Sequence, residues 1–146
     1  MKFKIILALL VPFLFCIPCM AQSADAVLGV WQSGHGSVRV RIFKTGENHN
    51  GKIVWLREEN DEAGKPKTDQ NNPSESQRNQ PLIGVEALSD FTYKGAGVWE
   101  GGTVYDPRSG KKYSCKLSIS ESGALEIRAF MGISLIGMTQ VWTRVK

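Results

Sequence analysis

The sequence is poor in cysteine and histidine, with three and two of them among 146 residues. Cys16 and Cys19 lie in an N-terminal segment that we interpret below as a cleaved signal, so Cys115 has no partner and no internal disulfide can form. His35 and His49 stand in or beside turn-forming residues and do not indicate a metal site. We therefore predict a fold stabilised by core packing, with no metal and no cofactor.

A strong excess of one charge is also lacking. Lysine and arginine number 18 against 14 aspartates and glutamates, a formal net charge of +4. The charge falls to about +2 once the two lysines of the signal are removed. This balance is too weak to predict a nucleic-acid partner. The adjacent carboxylates at positions 58–59 and 61–62 are typical of a solvated surface, and no constellation indicates a catalytic site.

No apolar run is long enough to span a membrane as a helix. The run Ile5–Cys16 has about 12 residues, whereas a spanning helix needs ~20. It follows two lysines and precedes the small residue Ala21, which is the order of a secretory signal. We predict a signal peptide at residues 1–21, a periplasmic or secreted location, and a single domain over residues 22–146. Neither cysteine of the segment follows a small residue, which argues against a lipoprotein.

Sustained helical periodicity is missing as well, and alternation with period two takes its place. In "SVRVRIF", apolar positions 38, 40 and 42 alternate with Arg39 and Arg41. The segments "KKYSCKLSIS" and "ALEIRAFM" alternate in the same way. This pattern predicts half-buried antiparallel strands. Further strands are predicted at residues 28–31, 51–58, 83–93, 97–106 and 137–145.

About eight short strands joined mostly by tight turns predict an all-β fold, an antiparallel up-and-down β-barrel, because closure removes the unpaired sheet edges. A barrel of this size encloses either a filled core or one small ligand. We expect Tyr113, Cys115, Leu117 and Ile119 to face the interior of a barrel surrounded by water. An outer-membrane barrel, with apolar side chains outward, and a sandwich are the alternatives.

One segment, Glu59–Pro81, is polar, does not alternate and contains three prolines. Such a long loop is typically functional or mobile, and a solvated Ω-loop is the alternative. Within it, "DQNNP" offers oxygen ligands for calcium, although local hydrogen bonds to the backbone are the favoured interpretation. The connection "KTGENHNGK" that precedes it is predicted to use Asn50–Gly51 for positive φ.

The stretch "YDPRSGKKYSCKL" has the S-x-x-K spacing of hydrolases in which a lysine activates a serine, here Ser109 and Lys112. That chemistry needs a helix from Ser109, but Gly110 follows at once and an alternating strand begins at Lys112. "DPRSG" instead favours a turn. We therefore predict a hairpin with a buried, inert Cys115, and the sequence favours a role that is not enzymatic.

The short motif "GVW", Gly29–Trp31, resembles the G-x-W opening of lipocalins, whose tryptophan closes one end of the barrel. In those proteins an arginine near the last strand packs across the tryptophan, and Arg144 in "VWTRV" is the matching residue. A guanidinium stacks well on an indole ring. The resemblance implies structural roles for Trp31 and Arg144.

A wider resemblance is to the bacterial domain-of-unknown-function family 2147, a lipocalin-like (calycin) barrel. It is carried, in this order, by "GKIVWL", "DQNNP", "PLIGVEAL", "WEGGTVYDPRSGKKYSCKL" and "GISLIGMTQVWTRV". It covers nearly the whole mature chain and implies a secreted barrel with no established activity. Two positions depart from the family pattern: Ala129 stands where glycine is expected, and Met138 where a basic residue is usual.

Three functions are open at this point. The first is a binding protein that holds a small, partly hydrophobic ligand inside the barrel. The second is an enzyme, for which the sequence offers no cluster of titratable groups. The third is a cell-envelope module without a small ligand, in which the loop Glu59–Pro81, with Arg39 and Arg41, binds a protein partner. The candidate ligand-binding residues are Trp55, Trp99, Tyr113 and Met131.

Overall fold

The computed structural model describes residues 22–130 and 137–146. The predicted signal peptide, residues 1–21, and the candidate ligand residue Met131 lie outside the described residues. Eight strands and two short 3₁₀ turns, Ala24–Val27 and Glu75–Gln77, are present in this part of the chain. The strands are β1 (Gly29–Gln32), β2 (Val38–Thr45), β3 (Asn48–Leu56), β4 (Glu86–Gly95), β5 (Val98–Asp106), β6 (Lys111–Ile119), β7 (Leu125–Phe130) and β8 (Gly137–Arg144).

Each strand pairs in antiparallel fashion with the next one along the chain. The first and last strands also pair, with Trp31 opposite Arg144 and Gln32 opposite Thr143, so the sheet closes on itself. The predicted all-β, up-and-down barrel is therefore confirmed. None of the helical segments in the described ranges is long and apolar enough to cross a membrane.

The alternation of the sequence decides which side chains face inward. In β2, Val40 and Ile42 are buried, whereas Arg41 between them is exposed. In β6, Cys115 and Leu117 are buried in the same way. Full burial of a Val, Leu or Ile side chain contributes about 1.5–3 kcal/mol. A slip of one residue would turn every such side chain to the solvent, so the register is strongly specified.

One end of the barrel is closed by the 3₁₀ turn Ala24–Val27. Trp31 below it is fully buried and donates its indole N–H to the carbonyl oxygen of Val27 over 2.8 Å. The guanidinium carbon of Arg144 lies 4.3 Å from the centroid of the Trp31 ring, and the same group donates to the carbonyl oxygen of Leu28 over 2.7 Å. These contacts join the first and last strands and seal this end.

The turn predicted at Asn50–Gly51 is wrong. The chain reverses at Gly46, where φ is 60°, and Gly51 lies within β3. A Cβ atom on Gly51 would come within 2.8 Å of Cγ1 of Val40, so glycine is needed here for close packing and not for positive φ. The buried side-chain oxygen of Asn50 accepts the N–H of Asp90, whose φ is 63°, over 2.7 Å. This bond supports the irregular pairing of β3 with β4.

Candidate ligand-binding site

A cavity of about 590 Å³ lies inside the barrel, at the end opposite to the 3₁₀ turn Ala24–Val27. At this end the interior is therefore not completely filled by side chains. The strand residues of its wall come from β2 to β8, because inward positions of each of these seven strands contribute to it. Among them are Val40, Ile53, Leu88, Val104, Ala129 and Trp142.

Charged side chains surround the mouth of this cavity. Lys67 Nζ lies 3.2 Å from Glu58 Oε2, and Arg108 Nε lies 3.1 Å from Asp106 Oδ1. Arg57 instead donates to a backbone carbonyl oxygen over 2.9 Å and forms no ion pair with a carboxylate within the described ranges. Exposed pairs of this kind contribute only about 0–1 kcal/mol and rearrange easily. The mouth thus has one positive charge in excess.

The long loop between β3 and β4 is fastened beside the mouth by "DQNNP". Asp69 is 1 % exposed, and its two carboxylate oxygens accept the hydroxyl of Tyr105 over 2.7 Å and the side-chain amide of Asn72 over 2.8 Å. The side-chain amide of Asn71 donates to the carbonyl oxygen of Arg108 over 2.9 Å. Burial, and then the bond to Asp69, raise the pKa of Tyr105 to about 12. Both oxygens of Asp69 thus bond to side chains, and the expected local bond to the backbone is instead formed by Asn72 Oδ1, which accepts the N–H of Ser74 over 2.9 Å.

The four candidate ligand residues are not brought together by the fold. Tyr113 lines the cavity. Trp55 lies on the outside of the barrel, with the guanidinium carbon of Arg39 4.4 Å from its ring centroid, because a register shift at Arg39 places Trp55 opposite that outward residue. Trp99 is fully buried in the closed end and does not line the cavity. Met131 lies outside the described residues.

Three cavity residues on β8 were not among the candidate ligand-binding residues, although alternation in "GMTQVWTRV" places them on one side. They are Met138, Gln140 and Trp142, and the Trp142 indole N–H donates to Gln140 Oε1 over 3.0 Å. Both departures from the resembled family, Ala129 and Met138, lie on the wall. The wall is therefore apolar at position 138, where the resemblance implies a basic side chain.

The serine and lysine of "YDPRSGKKYSCKL" do not form a reactive pair. The segment is a hairpin, as predicted, with β5 ending at Asp106, β6 beginning at Lys111, and Gly110 at a φ of 69°. Ser109 Oγ lies 3.3 Å from Asp106 Oδ2 and so completes the turn. Burial raises the pKa of Cys115 to about 12, which keeps this thiol protonated and poorly nucleophilic at neutral pH.

His49 lies inside β3 and not in a turn, and it is 1 % exposed. Its ring meets Trp99 edge-on with 6.2 Å between centroids, and neither ring nitrogen has a hydrogen-bond partner among the described residues. The imidazole packs as part of the closed end. No group of three or more His, Cys, Asp or Glu residues in the described ranges is placed to hold a metal ion.

A closed barrel of eight strands, sealed at one end by a tryptophan–arginine pair and open to an apolar cavity at the other, is a lipocalin-like barrel. The chain belongs to the family described as "Uncharacterized protein conserved in bacteria (DUF2147)", which matches residues 29–144. A solved structure, described as protein HP1028 from the human pathogen Helicobacter pylori, of the lipocalin family, is similar at 24 % identity, a TM-score of 0.71 and 82 % coverage of each chain. This similarity shows the fold alone. No curated protein matches the chain.

Proposed function

We propose that the protein is a periplasmic or secreted carrier that binds one small, partly hydrophobic molecule inside the barrel after removal of residues 1–21. The observation that carries this proposal is the cavity of about 590 Å³ with an apolar wall and a charged mouth. Pockets for small molecules typically measure about 300–1,000 Å³ and combine an apolar lining with a few polar groups.

The cavity also indicates how such a molecule would be oriented. Its apolar part would lie among side chains such as Val40, Val104 and Trp142. Each methylene group transferred from water to this wall would contribute about 0.8 kcal/mol. A polar or anionic end would remain at the mouth, where Arg57 has no acidic partner in the described part of the chain. The ligand class is therefore an amphiphile with a compact or flexible apolar body.

A fluorescent fatty acid, 11-(dansylamino)undecanoic acid, is a direct probe of this site. We expect saturable binding of one probe per protein with increased dansyl emission. Ala129→Phe, which fills the cavity from β7, should weaken binding by about tenfold or more, or about 1.4 kcal/mol. The matched control Thr139→Phe adds the same ring to an exposed position of β8, outside the cavity lining, and should leave the affinity within about twofold.

Two results would contradict the proposal. Equal affinity of Ala129→Phe and Thr139→Phe would mean that the probe binds outside the barrel. Native mass spectrometry of protein isolated from its own bacterial host should show a small molecule bound, and bare polypeptide alone would argue against a carrier. N-terminal sequencing of the same material tests the location, because cleavage after Ala21 leaves Gln22 first.

A further inference from the structure

The outer surface of the barrel carries a cluster of cations and aromatic rings on β2 and β3. Arg39 and Arg41 project outward from β2, and in the paired register Trp55 lies opposite Arg39 and Lys52 lies opposite Arg41. Phe43, the next outward residue of β2, completes the cluster. We call these five residues the basic–aromatic face. None of them lines the ligand cavity, so the face is distinct from that site.

The contacts within the face hold its charged groups against the rings. The Arg39 guanidinium carbon is 4.4 Å from the Trp55 centroid, and Lys52 Nζ is 5.6 Å from the Phe43 centroid. Such cation–π contacts are favourable at exposed sites. Two long side chains are thereby partly ordered before any partner arrives, which reduces the entropy lost on binding.

The three cations of the face have a single carboxylate, Glu86, opposite them in the strand pairing. Arg39, Arg41 and Lys52 take part in none of the ion pairs within the described residues. Arg39 donates to the side-chain oxygen of Gln32 over 3.0 Å. Glu86 faces Lys52 in the pairing of β3 with β4, but its carboxylate accepts the hydroxyl of Ser89 over 2.8 Å. Three positive charges therefore lie close together, and none of them forms an ion pair with a carboxylate of the described residues.

We infer that the basic–aromatic face docks the barrel on an anionic lipid bilayer surface. Cations attract acidic headgroups, and each one near such a surface strengthens binding about fivefold. Tryptophan and other aromatic rings settle at the headgroup level, which suits the half-buried Trp55 and Phe43. The outward side of paired strands is a broad surface that fits a planar partner, whereas single-stranded nucleic acid is bound in a groove that follows its backbone. This inference is independent of what the cavity binds.

Vesicle binding tests the inference with the purified protein. We expect sedimentation with phosphatidylcholine vesicles that contain phosphatidylglycerol, little sedimentation with phosphatidylcholine alone, and loss of binding as sodium chloride screens the charges. Replacement of Arg39, Arg41 and Lys52 by glutamine should weaken binding about 100-fold. Replacement of Lys65, Lys94 and Lys111 by glutamine removes the same charge from other exposed positions and should weaken binding far less. If the triple variant of the face does not fold, Arg41→Gln alone should weaken binding about fivefold.

The position of the face can be checked through tryptophan fluorescence. Trp55 is less buried than Trp31, Trp99 and Trp142. Brominated phosphatidylglycerol should therefore quench the tryptophan fluorescence of the parent protein, and most of this quenching should be lost in Trp55→Phe. Equal binding of the two triple variants, or equal binding to both kinds of vesicle, would overturn the inference. Tighter binding of a single-stranded oligonucleotide than of the anionic vesicles, at the same salt concentration, would overturn it in favour of a nucleic-acid surface.

Discussion

Cys115→Ala is expected to destabilise the protein at neutral pH and to stabilise it, relative to the parent, in alkali. Cys115 is 4 % exposed in β6, and its truncation removes one buried sulfur atom at a cost of about 1 kcal/mol. In the parent, burial raises the pKa of this thiol from 9.0 to about 12, against a smaller opposite effect of the Lys116 backbone. The alanine variant lacks this thiol, so its stability does not depend on the ionisation of residue 115.

The sign of the pH effect follows from proton linkage. The folded-state pKa of Cys115 is the raised one, so its contribution to stability is complete below pH 9.0 and is lost as the pH rises towards about 12. Between these values the unfolded chain ionises its thiol while the folded chain keeps the proton. At pH 10 this linkage removes about 1.4 kcal/mol of stability, so the curves of parent and variant should cross near pH 10.

Urea unfolding followed by tryptophan fluorescence measures this crossing. The free energy of unfolding of parent and variant would be compared at several values between about pH 7 and about pH 11. Tyr105, whose pKa is also raised to about 12, is present in both proteins, so its effect cancels in the difference. Parallel curves, with a constant offset at every pH, would refute the conclusion that the thiol is buried in its protonated form.

Three further substitutions test the closed end, the loop and the strand packing. Arg144→Gln removes the contact with Trp31 and should lower the free energy of unfolding by about 2 kcal/mol in urea titrations. Tyr105→Phe deprives Asp69 of a hydrogen bond and should cost about 2 kcal/mol, with faster amide hydrogen exchange in the loop between β3 and β4 and unchanged exchange elsewhere. Gly51→Ala places a methyl group in a filled position and should lower the thermal midpoint by the equivalent of about 1–3 kcal/mol.

Inward and outward sides of the strands could be predicted from the sequence because side chains alternate strictly along a regular strand. The segments around Val40 and Leu117 show this, since the alternating apolar residues Val40 and Ile42, and Cys115 and Leu117, are buried. The outward side of Trp55 could not be predicted from the sequence, because Val54 and Leu56 make its strand apolar on both faces. The register shift at Arg39 also breaks the alternation. Such an irregularity depends on the paired strand and leaves no mark in a single segment.

The alternation of a strand also does not predict how far along the barrel axis an inward side chain lies. Trp99 and Val104 both point inward from β5, yet Trp99 packs in the closed end and Val104 lines the cavity. The difference is set by the position of the N-terminal 3₁₀ turn, where the indole N–H of Trp99 donates to the carbonyl oxygen of Ala24 over 3.2 Å. A contact between residues so distant in sequence cannot be read from either segment alone.

The short pairing between the first and last strands determines where the barrel opens locally. β1 and β8 share two residue pairs in the described ranges, whereas β2 and β3 share eight. A local opening therefore needs the least free energy at this seam, where fewer ladder bonds must break. Such an event would widen the barrel sideways while the other strand pairs stay intact. The hydrogen bond from Arg144 to the carbonyl oxygen of Leu28 raises the free energy that this local separation of β1 from β8 requires.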